Sequence, residues 1–511
     1  MKGPKLSIPD GIIVLLFLIM IAIRLPHLGA PLLDYFEFRQ TQTALTAYWF
    51  AREGVTLPAY PLPVFGSPWT APMEFPLFQM IMAGVHLMGV PLDMAGRGCA
   101  VFFYVASVAM MLWLIRRLGV GPLACVAFVG FATFSPYGIV WSRACLIDYC
   151  SVFFSLVYLA LALMGREKGW SVGLVLAVIL AGGMAGLVKV TTLPVYWAGV
   201  VVLAGDHLGE IWKKHGNKWS GRDWGQLAGW ILALLVPVLL AMIWTHLADE
   251  VKRGAEPTRH LASSALKEWN FGTLQQRLNP FEWHRIFNNI SHWVLPWFWP
   301  LMLVGLVALR GQTRLSGLVQ GSLVLGALGT VCLFFNLHFV HEYYLISISL
   351  ILWLLAALGL EKMALFIRHP RGRWWLVAVV LTVLAIDSSR SKFVSDACEF
   401  PYRSPVLTVA KAVREHLPAG QEIVILGHGW DPSLPYYLER KALMVEPQKV
   451  TKAYASAYVK DRKVNHVLSR NSWDKHVHQL WPDARKILEV ENHSLHVLDG
   501  AGGAPKTTTS P

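Results

Sequence analysis

The amino-acid sequence predicts a polytopic α-helical membrane protein that ends in a small α/β domain, and three observations carry that reading. Of the 511 residues 55% are hydrophobic and 15% are charged, where an ordinary soluble domain has about 25% charged. The apolar residues gather into blocks of roughly 17–24, the length at which a helix crosses a hydrocarbon core of about 30 Å. Beyond residue 390 the pattern changes to short apolar runs set between polar helical stretches, as in a small mixed domain.

Taken in order, the blocks place spans at 10–26, 94–115, 120–140, 148–165, 171–188, 191–205, 226–247, 294–309, 316–336, 343–360 and 374–388. The first block follows Lys2 and Lys5 and has a weak small-residue site, Leu28-Gly29-Ala30, after it. We read it as an uncleaved span because the loop that follows carries the richest motif in the chain. The net charge of +13 is not a nucleic-acid signal, because the basic residues sit in alternate short loops. These are Arg116 and Arg117, Arg166 and Lys168, Lys213 to Arg222, Arg310 and Arg314, and Lys362 to Arg373. Positive loops face the cytoplasm, so one orientation fits the whole chain: N-terminus inside, with residues 27–93, 248–293 and the tail outside.

Within the first outer loop, Phe38 to Arg52 and Phe75 to Met88 mix aromatic and polar residues and are too short or too amphipathic to span. They are expected to lie as helices in the membrane interface. In the tail, strands are expected at 422–426, 442–445, 465–468 and 485–490, separated by helices at 405–417, 448–460 and 473–480. The chain thus divides into a membrane domain over 1–389, an outward α/β domain over 390–499 and a disordered end over 500–511. Gly427-His-Gly429 after the first strand lacks the third glycine of a dinucleotide fingerprint. The six cysteines form no paired C-x-x-C framework and read as small hydrophobes.

Ionisable groups near a bilayer are costly and mark functional sites. Asp34, Glu37 and Arg39 follow the first span, and a carboxylate beside a guanidinium suits a general base next to a phosphate-binding cation. Helix starts favour acidic residues in any case. Glu74 precedes Phe75-Pro76-Leu77 at the start of the second loop helix. Arg143 and Asp148 flank a very short outer loop, as a structural ion pair or as site groups. Lys189 sits at the outer end of the fifth span, placed to snorkel outward or to hold a lipid phosphate. His338, His341, Tyr343 and Tyr344 join two spans outside. Their imidazoles and phenols suit hydrogen bonds to phosphate better than zinc, since His-x-x-His is one residue short of the zinc-helix spacing.

Together these residues resemble the polyprenyl-phosphate-sugar transferases of the C-type membrane glycosyltransferase fold, in the family 39 branch that includes protein O-mannosyltransferases and lipid A aminoarabinose transferases. The resemblance rests on Asp34 followed by Phe38-Arg39-Gln40-Thr41-Gln42-Thr43-Ala44, on Glu74-Phe75-Pro76-Leu77, on Arg143 with Asp148, on Lys189 and on His341-Glu342-Tyr343-Tyr344, over residues 30–345. It implies a large outer loop with two interfacial helices and a donor held by its lipid phosphate. By the resemblance Asp34 is the leading base, with Glu37 as the alternative because the acidic pair is separated here. Glu74 and Asp148 are implied as accompanying carboxylates, and Lys189, His341 and Tyr344 as contacts of the carrier phosphate. Arg39 would orient the loop or the phosphate, and Arg143, His338 and Tyr343 complete the phosphate-binding candidates.

The activity so implied is transfer of a sugar from a polyprenyl-phosphate donor to a hydroxyl or phosphate of a lipid, glycan or protein acceptor, on the outer face of a bacterial inner membrane. A single displacement with inversion is expected, since a phosphate leaving group needs no acid catalyst. No cofactor is implied, although the outer carboxylates offer ligands for a divalent cation. The rival readings are a transporter or flippase of a lipid-linked substrate, which would place polar groups at the midplane in repeated halves, and a polysaccharide polymerase or ligase.

Overall fold

The structure, a computed structural model, describes residues 7–309, 313–418, 420–446 and 451–498. Arg310 of the inner loops and the expected disordered end at 500–511 lie outside the described residues. Each of the predicted apolar blocks falls on a helix. Among the described residues five stretches are long and apolar enough to cross a membrane: Leu92–Arg117, Asp148–Lys168, Gly221–Arg253, Arg314–Leu333 and Glu342–Ala364. Their apolar side chains point outward as well as inward. Leu232, Leu235, Leu239 and Met242 on one helix and Val379, Val383 and Ile386 on another are exposed, as expected of surfaces that meet lipid.

The first helix, α1 (Ile8–Arg24), is capped by the Ser7 hydroxyl and ends on a fully buried arginine. The third membrane block, 120–140, does not form one span. It breaks into α5 (Pro122–Phe134) and α6 (Pro136–Trp141), after α2 (Glu37–Glu53), α3 (Leu77–Leu87) and α4 (Leu92–Arg117). Pro136 has no N–H to continue the helix, and the Ser135 hydroxyl caps the new one. The carbonyls freed at the end of α5 are taken by Arg24, whose guanidinium reaches Ala132 O at 3.1 Å and Thr133 O at 3.4 Å. The 294–309 block likewise forms only a short helix.

Helices α7 (Asp148–Lys168), α8 (Val172–Val188), α9 (Leu193–His215) and α10 (Gly221–Arg253) follow, and α10 opens on a capping box between Ser220 and Asp223. Three short helices, α11 (Lys267–Phe271), α12 (Leu274–Leu278) and α13 (Pro280–Asn289), fill the second outer loop. Then come α14 (Pro300–Ala308), α15 (Arg314–Leu333), α16 (Phe335–Val340), α17 (Ile346–Ala364) and α18 (Pro370–Arg390). Helices α14 and α17 touch backbone to backbone. A Cβ on Gly305 would stand 2.0 Å from Leu355 O, and one on Gly359 would stand 2.0 Å from Leu301 O, the close approach that small residues permit between membrane helices.

The amphipathic α19 (Lys392–Arg403) leads from the last span to α20 (Pro405–His416) and the sheet domain. Its elements are β1 (Ile423–Leu426), α21 (Ser433–Leu438), β2 (Ala442–Val445), α22 (Lys452–Arg462), β3 (His466–Arg470), α23 (Asp474–Leu480), β4 (Ala484–Val490) and β5 (His493–Leu498). The strand order is β2-β1-β3-β5-β4, with β2, β1 and β3 parallel and the β3–β5 and β5–β4 pairs antiparallel. The wholly apolar, wholly buried β1 and β2 are what a parallel core requires. Helix α21 and strand β5 were not expected from the sequence.

The first outer loop is where expectation and structure differ most. Helix α2 does not lie half-exposed in an interface, because every residue from Gln40 to Phe50 is buried. The sheet domain covers it, with α21 packed on α2. The loop also extends the sheet: Ala442 N donates to Pro63 O at 3.0 Å, Met444 N to Val64 O at 2.9 Å, and Gly66 N to Ala442 O at 3.1 Å. The outer edge of β2 is therefore paired by residues some 380 positions earlier in the chain.

Candidate active site

The site is organised by the first turn of α2. Phe36 takes a left-handed conformation, φ 60°, which swings the chain into the helix. It rests edge-on against His341 at 4.6 Å and Tyr343 at 4.8 Å. Glu37 and Arg39, two residues apart, open on different spaces. Glu37 lines a cleft of about 450 Å³ with Asp34, Tyr35, Phe36, Glu342, Phe400 and Arg403. Arg39 lines a cavity of about 550 Å³ with Glu74, Lys189, Trp244, Phe334 and Tyr344. A narrow recess joins Arg39, Glu74 and Lys189 to Asp148 and Tyr343. Consecutive residues Glu342, Tyr343 and Tyr344 thus face the three spaces in turn, and Phe36 of the cleft touches Tyr343 of the recess.

Lys189 is buried at the end of α8, with Nζ 2.5 Å from Asp148 Oδ1. The Tyr343 and Tyr344 rings stand 4.9 and 4.4 Å from the same ammonium, so its orientation is held by a carboxylate and two aromatic faces. Arg39 donates to Gln42 Oε1 at 2.8 Å and keeps other donors for a ligand. The Glu74 side chain makes no hydrogen bond or ion pair among the described residues. His341 is pushed down to about 4 by burial and by the charges of Arg39, Lys189 and Arg285, so it is a neutral imidazole at physiological pH. His338 is buried with Nδ1 on Phe334 O at 2.9 Å, and its Nε2 has no partner among the described residues. Burial pushes it down to about 4 as well.

Asp34 is placed differently from the others. Its two oxygens each lie 3.1 Å from Arg97, in a pair whose side chains are 3% and 2% exposed. Oδ1 also accepts from Gln40 Nε2, whose Oε1 accepts from Cys145 N. Arg97 holds Ala30 O at 3.1 Å and Pro31 O at 2.6 Å besides. The carboxylate expected from the resemblance as the base is therefore the anchor of a buried network. Glu37 is the accessible one: protein bulk around its carboxyl raises its pKa, and the charges of Asp431 and Asp34 raise it further.

The structure separates Arg143 from Asp148. Arg143 donates to Pro26 O and Cys398 Sγ, and its own carbonyl accepts from Arg97. It stands with Asp34, while Asp148 pairs with Lys189. The sequence reading missed Arg97, Asp93, Asp431 and Tyr437, and it named Glu342 only as part of a motif, with no role of its own. Arg97 and Asp93 carry a usable signal, charge at the outer end of an apolar block. Asp431 and Tyr437 carry none, since only the fold brings them near. Among the described residues no three His, Cys, Asp or Glu side chains converge as metal ligands do.

No family model matches the chain, and no curated protein sequence matches it. Solved structures do. ArnT from Cupriavidus metallidurans, bound to undecaprenyl phosphate, superposes with a TM-score of 0.63 at 15% identity, over 97% of this chain and 99% of that one. The archaeal oligosaccharyltransferase AglB of Archaeoglobus fulgidus, in complex with an inhibitory peptide and a dolichol-phosphate, superposes at 0.54 and 9%, over 92% and 70%. The mycobacterial arabinofuranosyltransferase AftD superposes at 0.51 and 14%, over 97% of this chain and 40% of its own. The chain has the C-type membrane glycosyltransferase fold with a small sheet domain at its end.

Proposed function

We propose that the protein transfers one sugar from a polyprenyl phosphate to an acceptor hydroxyl on the outer face of a bacterial inner membrane, with inversion. The observation that carries this reading is the division made by α2: an accessible carboxylate, Glu37, faces one cleft, while Arg39 and Lys189 face the cavity beyond the Phe36–Tyr343 contact. A displacement needs that arrangement, with the attacking group and the departing phosphate on opposite sides of the anomeric carbon. Structures of this fold hold undecaprenyl phosphate or a dolichol-phosphate, which supports a lipid phosphate as the occupant of the cationic cavity.

In this mechanism Glu37 accepts the acceptor's hydroxyl proton as that oxygen bonds to the anomeric carbon. The bond from that carbon to the phosphate oxygen breaks, and its electron pair leaves with the lipid phosphate. Arg39 and Lys189 stabilise the charge that develops there, and neutral His341 and Tyr344 add hydrogen-bond donors. Glu74, close to the charge of Arg39, accepts from sugar hydroxyls in the donor cavity. Asp34 fixes the loop through Arg97, and Asp148 fixes Lys189.

The test is transfer of labelled sugar from a panel of polyprenyl-phosphate sugars by membranes carrying the wild type, Glu37→Gln or Asp34→Asn. Glu37→Gln should lose about 10²–10⁴-fold in rate while retaining undecaprenyl phosphate binding. Full activity in that variant with loss in a folded Asp34→Asn protein would return the base to Asp34. A retained anomeric configuration in the product, read by NMR, would rule out the single displacement.

A further inference from the structure

The sheet domain touches the start of the catalytic loop through the short segment 430–439. Trp430 packs edge-on against Phe38 at 4.4 Å, and the Ser433 and Thr41 hydroxyls lie 3.3 Å apart. The Tyr437 hydroxyl accepts from Leu32 N at 2.6 Å and donates to Asp93 Oδ2 at 3.2 Å, while Tyr436 donates to Asp93 Oδ1 at 2.5 Å. Asp93 opens α4, and Arg97 stands one turn further along the same helix. From there it grips Ala30 O, Pro31 O and both oxygens of Asp34. Every residue from Ala30 to Asp34 except Leu33 is thus hydrogen-bonded by Tyr437 or Arg97.

A loop is ordinarily the mobile part of a site, but this one is held from two directions. Arg97 takes its carbonyls and carboxylate, and Tyr437 takes the one amide that lies between them. The backbone pairing of residues 63–66 with β2 fastens the other end of the same outer loop to the same domain. A domain packed only for stability would bury apolar area. This one also places a phenol, bonded to a carboxylate, on the amide of Leu32, five residues before Glu37.

We infer that the sheet domain is a working part of the catalytic site, and that Tyr437 is a positioning residue which, with Asp93 and Arg97, holds residues 30–34 so that Glu37 meets the acceptor. This rests on the transferase reading above. It assigns the domain a role in the chemical step, while donor binding stays with Arg39 and Lys189.

The experiment uses the full chain in lipid nanodiscs, as wild type, Tyr437→Phe, Asp93→Asn and the control Tyr454→Phe on α22. Hydrogen exchange is followed over residues 28–40, undecaprenyl phosphate binding is titrated, and sugar transfer is measured as kcat and KM. Tyr437→Phe should speed exchange over 30–34 by about tenfold or more, because local opening there becomes easier. It should lower kcat by about tenfold with donor KM and undecaprenyl phosphate affinity within about twofold of wild type, as misplacement of a reacting group does. Asp93→Asn, which preserves shape, should show the same pattern, and Tyr454→Phe should match wild type. Unchanged exchange in both loop variants would overturn the inference, as would faster exchange with unchanged kcat, or a loss confined to phosphate affinity. If the wild type transfers from no donor, the transferase reading fails, and the exchange result still decides whether the domain holds the loop.

Discussion

In the proposed mechanism Glu37 and Arg39 divide the work of the site, since they open on different spaces, and their chemistry sets what each can be asked to show. Protein bulk around its carboxyl and like charge raise the pKa of Glu37. A general base acts only when ionised, so transfer should fall as pH drops through that raised value, above the range of an ordinary glutamate. Asp431→Asn removes one of the charges that raise it, and the acid limb of the rate profile should then move to lower pH. An unmoved limb would mean that another group titrates there. Lys189 and Asp148 form a buried pair with side chains 7% and 4% exposed. Lys189→Met leaves Asp148 buried without a partner and should cost about 3–5 kcal/mol of stability. The double variant with Asp148→Asn should recover most of that in thermal unfolding while undecaprenyl phosphate binding stays lost. The residue types of this site were readable in the chain, since Lys189, Asp148 and Glu74 all break apolar surroundings. Their pairing was not, because Arg143 sits nearer to Asp148 in sequence than Lys189 does, and only packing shows that it turns toward Cys398.

Elements were legible wherever one physical cause fixes them. Continuous apolar blocks become helices because no other structure satisfies the backbone in hydrocarbon, and the short, wholly apolar runs Ile423–Leu426 and Ala442–Val445 become buried parallel strands. Legibility ended where the cause is distant. Helix α2 is polar in composition yet buried, because Tyr437, 405 residues away from Leu32, brings the sheet domain over it. The α5–α6 break was signalled by Ser135-Pro136, but its counterpart, Arg24 on the freed carbonyls, was visible only in three dimensions. Packing of α14 on α17 allows a direct check. Ala at Gly305 or Gly359 would meet a carbonyl oxygen at 2.0 Å, and since backbone cannot yield as a side-chain tip can, each should lower the unfolding midpoint in detergent. Gly84→Ala on α3, with nothing within 4 Å of the new methyl, should be neutral or stabilising by about 0.5–1 kcal/mol. Equal behaviour of the three variants would mean that α14 and α17 do not approach as closely as the structure has them.

At the scale of the whole molecule, the distribution of charge is what the proposed orientation rests on. The basic loops that separate alternate spans lie together at one end, where Arg117 meets Glu167 and Arg166 meets Asp206 and Glu210. The outer loops and the sheet domain lie at the other, with the two clefts between them. If the positive loops are cytoplasmic, a polyprenyl phosphate enters from the outer leaflet beside the exposed apolar face of α10, and the acceptor approaches under the sheet domain. The arrangement can be tested without any substrate. In a chain whose six native cysteines are replaced, single cysteines at the exposed positions Lys218 and Lys460 should react differently with a membrane-impermeant maleimide. Lys460→Cys on α22 should label once the outer membrane is opened, whereas Lys218→Cys should label only after the inner membrane is disrupted. The reverse pattern would turn the molecule over and place both clefts on the cytoplasmic side, where an outward acceptor never reaches Glu37. Such a result would remove the extracytoplasmic transfer reaction while leaving the internal geometry of the site untouched.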